Sequence, residues 1–143
     1  MRKMLKLAII SSLLICGTAQ ARDQVIDLPL DQIMGTPKAN GALLSVPVYF
    51  AGQSHPAVTS SGGEISTSKK TNAFAKSDSD ACQWVLLSAL KALQDTARQR
   101  GYDAVVNIRS NYKHNEFVSS THYQCGAGAI MAGVALKGDM VKF

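Results

Sequence analysis

The stretch SDSDACQWVLLSALKALQDTARQRG, residues 77–101, decides the fold of this chain. Apolar residues recur in it at every third or fourth position, which is the spacing of one helix face. Ser77 followed three positions later by Asp80 has the form of a capping box at a helix start, and Gly101 is suited to a helix end. The stretch therefore predicts one long helix of about six turns.

Strand patterns follow the helix. Ala104, Val106 and Ile108 alternate with other residues, which predicts a half-buried strand with these three on its buried face. A second alternation covers residues 117–125. The small, apolar residues 126–136 either continue that strand with a bend or form a third one, since their glycines suit bulges and close packing.

Residues 22–76 have weaker patterns. Alternation over residues 46–50 around Pro47 predicts a short strand at a sheet edge, and polar residues 64–72 predict another strand. The predicted fold class is α+β, with an irregular, extended N-terminal segment and short strands over residues 22–76. Residues 77–143 would form one domain, in which the long helix packs on a small antiparallel sheet.

The N-terminus predicts export. Basic residues in the first six positions, a short apolar run over residues 7–15 and small residues at 19–21 indicate a signal peptide, residues 1–21. The apolar run is too short for a bilayer, which needs about 20 residues. Cys16 suggests lipidation, but the bulky Ile15 before it is unlike a lipoprotein signal. We therefore expect a soluble periplasmic protein with no transmembrane span.

Cleavage would change the net charge, which is +5 for the whole chain. Removal of residues 1–21 lowers the 15 basic residues to 12 against 10 acidic ones, a net charge of +2. A charge this small does not favour binding to a phosphate backbone. Nucleic acid is therefore not an expected partner.

Cleavage also leaves two cysteines, Cys82 and Cys125. An even pair in an exported protein is typical of a disulfide, because the compartment is oxidising. A metal pair or a redox pair is the alternative, although the sequence has no Cys-x-x-Cys. A disulfide between them would join the start of the helix to a strand.

Catalytic signatures are absent from the sequence. It contains no Gly-x-x-x-x-Gly-Lys-Ser/Thr run and no Gly-x-Ser-x-Gly elbow. Gly126, Gly128 and Gly133 do not have the spacing of a dinucleotide loop. Asp78 and Asp80 are explained by helix capping. The sequence predicts a protein that is not an enzyme and carries no cofactor.

Two histidines are the candidate metal ligands. His114 and His122 lie eight positions apart, across or beside a hairpin. A zinc site needs three or four ligands, and the third would come from His55, Glu116 or Asp103. A divalent metal is therefore the alternative to an absence of cofactors, and exposed histidines without a ligand are the alternative to a metal site.

A group of helix residues is the candidate contact with a partner. On a helical wheel, Trp84 and Leu87 lie away from the apolar face, beside Lys91 and Arg98. An exposed tryptophan with a leucine and flanking bases is typical of a protein contact. The alternative is that residues 22–60 fold over this side of the helix and bury it.

Residues 82–107 and 123–129 resemble the signalling domain of RcsF, an envelope-stress lipoprotein, and the YbjQ-like domains. These share a helix followed by a glycine and an Asp/Asn-Ala-Val-Val strand, and the resemblance covers about half the chain. The motifs KTNAF, AVVNIRS and AGVALKG, at residues 70–74, 104–110 and 132–138, are similar to small exported bacterial proteins often labelled "excinuclease ATPase subunit". The missing phosphate loop does not support that label. RcsF is lipidated and has two disulfides, whereas this chain would keep only two cysteines after cleavage and its N-terminus is unlike a lipoprotein signal. The resemblance therefore does not imply that this protein is tethered to a membrane.

Two hypotheses of function follow. In the first, the protein is a non-enzymatic periplasmic module that binds another envelope protein or envelope component, in envelope stress or integrity. In the second, suggested by the YbjQ-like resemblance, it binds a small ligand or a metal. The protein would be a monomer or a dimer, and an unpaired strand within residues 126–136 would support the dimer.

Overall fold

One long helix packs against a curled six-stranded sheet in the computed structural model, which describes residues 23–143. The predicted signal peptide and Cys16 lie outside the described residues. In chain order, the elements are β1 (Asp23–Pro29), a 3-10 turn (Leu30–Gln32), α1 (Pro37–Ala42), β2 (Val48–Phe50), β3 (Ser60–Asn72), α2 (Asp78–Gln99), β4 (Ala104–Ser110), a second 3-10 turn (Tyr112–His114), β5 (His122–Gly128) and β6 (Met131–Lys142).

The long predicted helix is α2, and its ends are those that the sequence indicates. The Ser77 hydroxyl accepts a hydrogen bond from the Asp80 main-chain N–H at 3.1 Å. Gly101, directly after the last turn, has a φ of +79°, a conformation that glycine adopts without strain. One face of α2 packs against β3 and β6, and less extensively against β4 and β5. This packing forms the main core. No helix among residues 23–143 is long and apolar enough to cross a membrane.

Strand β6 is the centre of the sheet. Strand β3 pairs with it along one side, from Asn72 opposite Met131 to Ser60 opposite Lys142, with a shift of register at Gly62. The other side of β6 is shared by β5, which pairs at residues 132–133, and by β4, which pairs at residues 136–141. Strand β1 adds to β5, and β2 adds to β4. The stretch 126–136 therefore spans the end of β5, a turn and the start of β6, and β6 is paired on both sides.

Three expectations about the sheet are corrected by this topology. The sheet is not small, because β1, β2 and β3 from the N-terminal segment are all part of it. It is not wholly antiparallel, because β2 runs parallel to β4. Strand β3 is 13 residues long, although only residues 64–72 were expected to be extended. The short edge strand predicted around Pro47 is confirmed as β2.

Strand β4 departs from simple alternation. Val105 and Ile108 face the main core, whereas Ala104 and Val106 pack in a small cluster on the opposite side. The prediction that Ala104, Val106 and Ile108 share a face is wrong. Asn107 has a φ of +52° and lies where the register with β6 shifts, so an extra residue in a bulge reverses the alternation.

The predicted second strand begins later than expected. It starts at His122, and before it only an isolated bridge between Ser110 and Phe117 is formed. Within β5, Cys125 lies at disulfide-bonding distance from Cys82, with the two Cα atoms 5.9 Å apart, in agreement with the predicted pairing. Both cysteines are fully buried. The pair joins the second turn of α2 to β5.

Candidate binding cleft

A mostly apolar cleft opens where the two ends of the sheet meet. It has a volume of about 590 Å³ and lies between the end of β1, β2 and the loop that precedes β5. Its apolar walls come from Leu30, Met34, Val48, Tyr49 and Phe50. Pro29 also borders it, and the polar side chains of the lining are Asp31, Gln53, Ser54, Ser120, Thr121 and His122.

The cleft lies at the edge of β2 and not over one face of it. Val48, Tyr49 and Phe50 are consecutive, and all three line the cleft. Side chains of consecutive strand residues point to opposite faces, so all three can border one space only along the strand edge. Strands β1 and β2 are the two ends of the main strand order. The sheet therefore curls until these end strands border one cleft, without pairing with each other.

Hydrogen bonds fix the walls of the cleft. The Gln53 side chain accepts from the Phe50 main-chain N–H at 2.9 Å and donates to the Ser120 carbonyl at 2.9 Å. The Leu30 main-chain N–H donates to the Thr121 carbonyl at 2.8 Å. Both the turn after β2 and the turn after β1 are thus tied to the same loop. A cleft held in this way is formed before any ligand binds.

A second, polar groove shares no lining residue with the apolar cleft. It has a volume of about 450 Å³ and runs between β3, β6 and the Tyr112–His114 turn. Lys70, Lys113 and His114 supply basic groups there, together with the hydroxyls of β3. The Lys113 ammonium lies 2.5 Å from a carboxylate oxygen of Asp23, and this hydrogen bond raises the pKa of Lys113.

Tyr112 forms the floor of the polar groove because two glycines make room for its ring. A Cβ atom built at Gly126 would lie 2.1 Å from the Tyr112 ring, and one built at Gly133 would lie 3.2 Å from it. The two residues that follow, Lys113 and His114, both have positive φ, at 52° and 62°. Gly126 and Gly133 therefore serve this close approach, in agreement with the sequence prediction that these glycines suit close packing.

The two candidate metal ligands are not brought together. His114 lines the polar groove and His122 lines the apolar cleft. Among residues 23–143, no group of three or more His, Cys, Asp or Glu side chains has the geometry to hold a metal ion.

The three proposed third ligands have other contacts. Glu116 accepts a hydrogen bond from Arg109 at 2.6 Å, Asp103 accepts from the Phe143 main-chain N–H at 3.0 Å, and the His55 ring stacks 6.1 Å from that of Phe143. The structure thus gives no support to a metal centre built from these residues.

An ionic cluster covers the outer side of β4. Arg109 donates hydrogen bonds to Glu64 and to Glu116, and Lys137 lies 3.9 Å from Glu116. Partial burial lowers the pKa of Arg109, but the two carboxylates outweigh it, so the pKa is raised overall. Arg109 is therefore a fixed cation that joins β3 to the loop after β4.

The predicted contact group on α2 is only partly exposed. Trp84 is 44% exposed, and Lys91 and Arg98 are exposed, but Leu87 is 1% exposed. The prediction that Leu87 faces solvent is wrong. Lys38 also covers part of Trp84, with its ammonium 4.4 Å from the ring centroid.

The N-terminal segment is what buries Leu87. Gln83, Leu87 and Gln94 share one side of α2, since they are four and seven positions apart. The α1 residue Lys38 contacts Gln83, and the main chain of Leu44 bonds to Gln94. The segment from α1 to Leu44 therefore runs along this side of the helix and covers Leu87, as the alternative interpretation expected.

The apolar cleft was not found from the sequence. Its lining comes from three segments, residues 29–34, 48–54 and 120–122, which share no motif, and no local pattern shows that they face one another. The run Pro47-Val48-Tyr49-Phe50 was the only signal, because it marked an edge strand. Comparison with protein-family models, with curated proteins and with solved structures gave no match to this chain.

Proposed function

We propose that the mature chain is a non-enzymatic, exported module that binds an extended, apolar segment of another envelope protein. The segment would occupy the cleft between β1 and β2. The observation that carries the proposal is a preformed, mostly apolar cleft bordered by the edge strand β2. Residues that line it on both sides are held by main-chain and side-chain hydrogen bonds.

The edge of β2 explains why the bound segment would be extended. Among residues 23–143, the only strand that pairs with β2 is β4. At the other edge of β2 the Phe50 main-chain N–H and C=O are both bonded to Gln53, so a partner strand would add there through the main-chain groups of Val48, with its apolar side chains entering the cleft. A cleft of about 590 Å³ is within the range of ligand pockets and is large enough for one or two apolar side chains.

Sequence features support the envelope as the location. The N-terminal pattern of a signal peptide, the Cys82–Cys125 pair and the resemblance to RcsF all agree with an oxidising, extracytoplasmic compartment. The role in envelope stress or integrity rests on that resemblance. A metal-binding role is not part of the proposal, because His114 and His122 line different cavities.

The proposal is tested by site-specific photo-crosslinking of the full chain expressed with its own N-terminus. A photoreactive amino acid replaces Ser54, which lines the cleft, and in a matched control it replaces Ser88, an exposed residue of α2. We expect a protein adduct from position 54 and none from position 88. The same protein cross-linked from both positions would refute the cleft as the site.

A second step separates a specific contact from mere proximity. The cross-linked protein is purified, and its affinity is measured for the unmodified chain and for the Met34→Trp and His122→Trp variants, which fill the cleft from the wall and from the rim. We expect each variant to weaken binding by at least about tenfold, equivalent to about 1.4 kcal/mol. Unchanged affinity for both variants, with their folds confirmed by circular dichroism, would contradict the proposal.

A further inference from the structure

The long edge strand β3 points to self-association. We infer that β3 pairs with β3 of a second copy of the chain, antiparallel, about a two-fold axis at Thr67. The two sheets would then be continuous across the dimer. This interface lies apart from the cleft between β1 and β2, so it goes beyond the proposed function and is tested independently of it.

The outer edge of β3 has no strand partner among residues 23–143. Strand β3 pairs only with β6, without a break from Gly63 to Asn72 and with a shift of register at Gly62. Helix α2 packs against β3 and β6 alike, so it covers a face of these strands and leaves the edge open. A row of unpaired N–H and C=O groups 13 residues long is a template for another strand.

When β3 pairs with an antiparallel copy of itself, charged residues of one strand face residues of opposite charge in the other. Antiparallel pairing about Thr67 places Glu64 opposite the partner subunit's Lys70, and by symmetry Lys70 opposite the partner subunit's Glu64. Glu64 remains 47% exposed beside Arg109, and Lys70 is exposed with no ion pair of its own among the described residues. Opposite charges at directly facing positions stabilise a pair of strands. The dimer contains this favourable pair twice.

The geometry of a two-fold axis selects the same register. Such an axis must stand perpendicular to the sheet, so residues that face each other across it lie on the same side of the sheet. Residues on one side of a strand are an even number of positions apart. Glu64 and Lys70 meet this condition, whereas Glu64 and Lys69 do not. Ser66 then faces the partner subunit's Ser68, a hydroxyl pair that also suits neighbouring strands.

Lysines on an exposed edge strand often prevent pairing with another chain. In the β3 pairing centred on Thr67, Lys70 faces the partner subunit's Glu64. The lysine therefore favours pairing with a second copy of this chain. Pairing over residues 62–72 would add about ten main-chain hydrogen bonds, at about one for each residue of the paired strand. We therefore expect a dimer that forms through main-chain bonds and whose register is set by the charges.

Charge reversal tests the register. The full exported chain is analysed by sedimentation equilibrium as the unmodified protein, Lys70→Glu, Glu64→Lys and the control Lys76→Glu. We expect a dimer for the unmodified protein and for the control. Each β3 variant should dissociate at least about tenfold more readily, because two attractive pairs become repulsive. An equimolar mixture of the two β3 variants should form a heterodimer, since both facing pairs are then opposite in charge.

Cysteine cross-linking gives a second readout that does not depend on affinity. Thr67 faces the partner subunit's Thr67, so Thr67→Cys should yield a disulfide-linked dimer on mild oxidation. In the control Thr71→Cys, the two introduced cysteines would lie eight positions apart along the strands, about 27 Å, and should not link. An unmodified protein that is monomeric at all concentrations, or a Thr71→Cys variant that links as readily, would overturn the inference.

Discussion

Substitution of Gln94 tests how the segment before β2 is held against the long helix. The Gln94 side chain is 1% exposed in the C-terminal third of α2, at a buried position where an apolar residue would be expected. Its carbonyl oxygen accepts from the Leu44 main-chain N–H at 2.9 Å. Its amide nitrogen donates to the main-chain carbonyls of Leu44 at 3.0 Å and Val46 at 2.7 Å. One side chain thus satisfies three main-chain groups of the segment that leads into β2.

Replacement of Gln94 by leucine keeps a side chain of similar volume in the core but removes all three hydrogen bonds. Each bond contributes about 1 kcal/mol, and a buried main-chain group left without a partner costs about 1–3 kcal/mol. Water can reach part of the 44–46 segment once it loosens, so the lower end applies. We expect Gln94→Leu to lower the free energy of unfolding by about 3 kcal/mol.

Urea denaturation followed by circular dichroism measures this change, with Gln99→Leu as the matched control. Gln99 is an exposed glutamine at the end of the same helix, and its replacement should alter the free energy of unfolding by less than about 0.5 kcal/mol. Hydrogen exchange should also become faster at the main-chain amides of β2, because Val46 directly precedes it. A Gln94→Leu variant within about 1 kcal/mol of the unmodified protein would refute the reasoning.

Three further predictions concern the core. The double variant Cys82→Ala/Cys125→Ala should lower the free energy of unfolding, measured by urea denaturation, by about 4 kcal/mol, because the two residues close a loop of 43 positions. An unmodified protein that is equally stable with and without reductant would contradict this. Tyr123→Phe should leave the free energy of unfolding unchanged or raise it by about 1 kcal/mol, because the buried hydroxyl has no hydrogen-bond partner among residues 23–143. A loss of stability would show that the hydroxyl is bonded. Gly126→Ala should lower the free energy of unfolding by about 1–3 kcal/mol through its clash with Tyr112. In a double-mutant cycle, the additional substitution Tyr112→Ala should remove most of that loss, and an absence of coupling would exclude the clash as the cause.

Local patterns predicted the elements whose residues carry a strong period. Helix α2 follows from the spacing of its apolar residues and from Ser77, since both act within a few positions along the chain. The same reasoning failed in β4, where Asn107 forms a bulge that reverses the alternation of its neighbours. A bulge depends on the partner strand, and a single strand pattern does not contain that information.

Strand β3 is the element that local sequence patterns predicted least well. Its residues other than Ile65 are polar or glycine, and most of them are exposed, so no apolar period marks its length or its place in the sheet. Pairing with β6 through main-chain hydrogen bonds fixes it, and main-chain groups are the same for every sequence. For that reason the size of the sheet and its mixed pairing could not be predicted.

The sequence alone therefore determined the long helix, the two cysteines suited to pairing and the α+β class, because each depends on residue type and short-range spacing. Only the tertiary structure decided that Leu87 is buried, that His114 and His122 lie apart, and that the ends of β1 and β2 border one cleft. These outcomes depend on how far the sheet curls and on which distant segments meet. Contacts between residues far apart in the chain arise from the packing of the whole core, which local patterns do not encode.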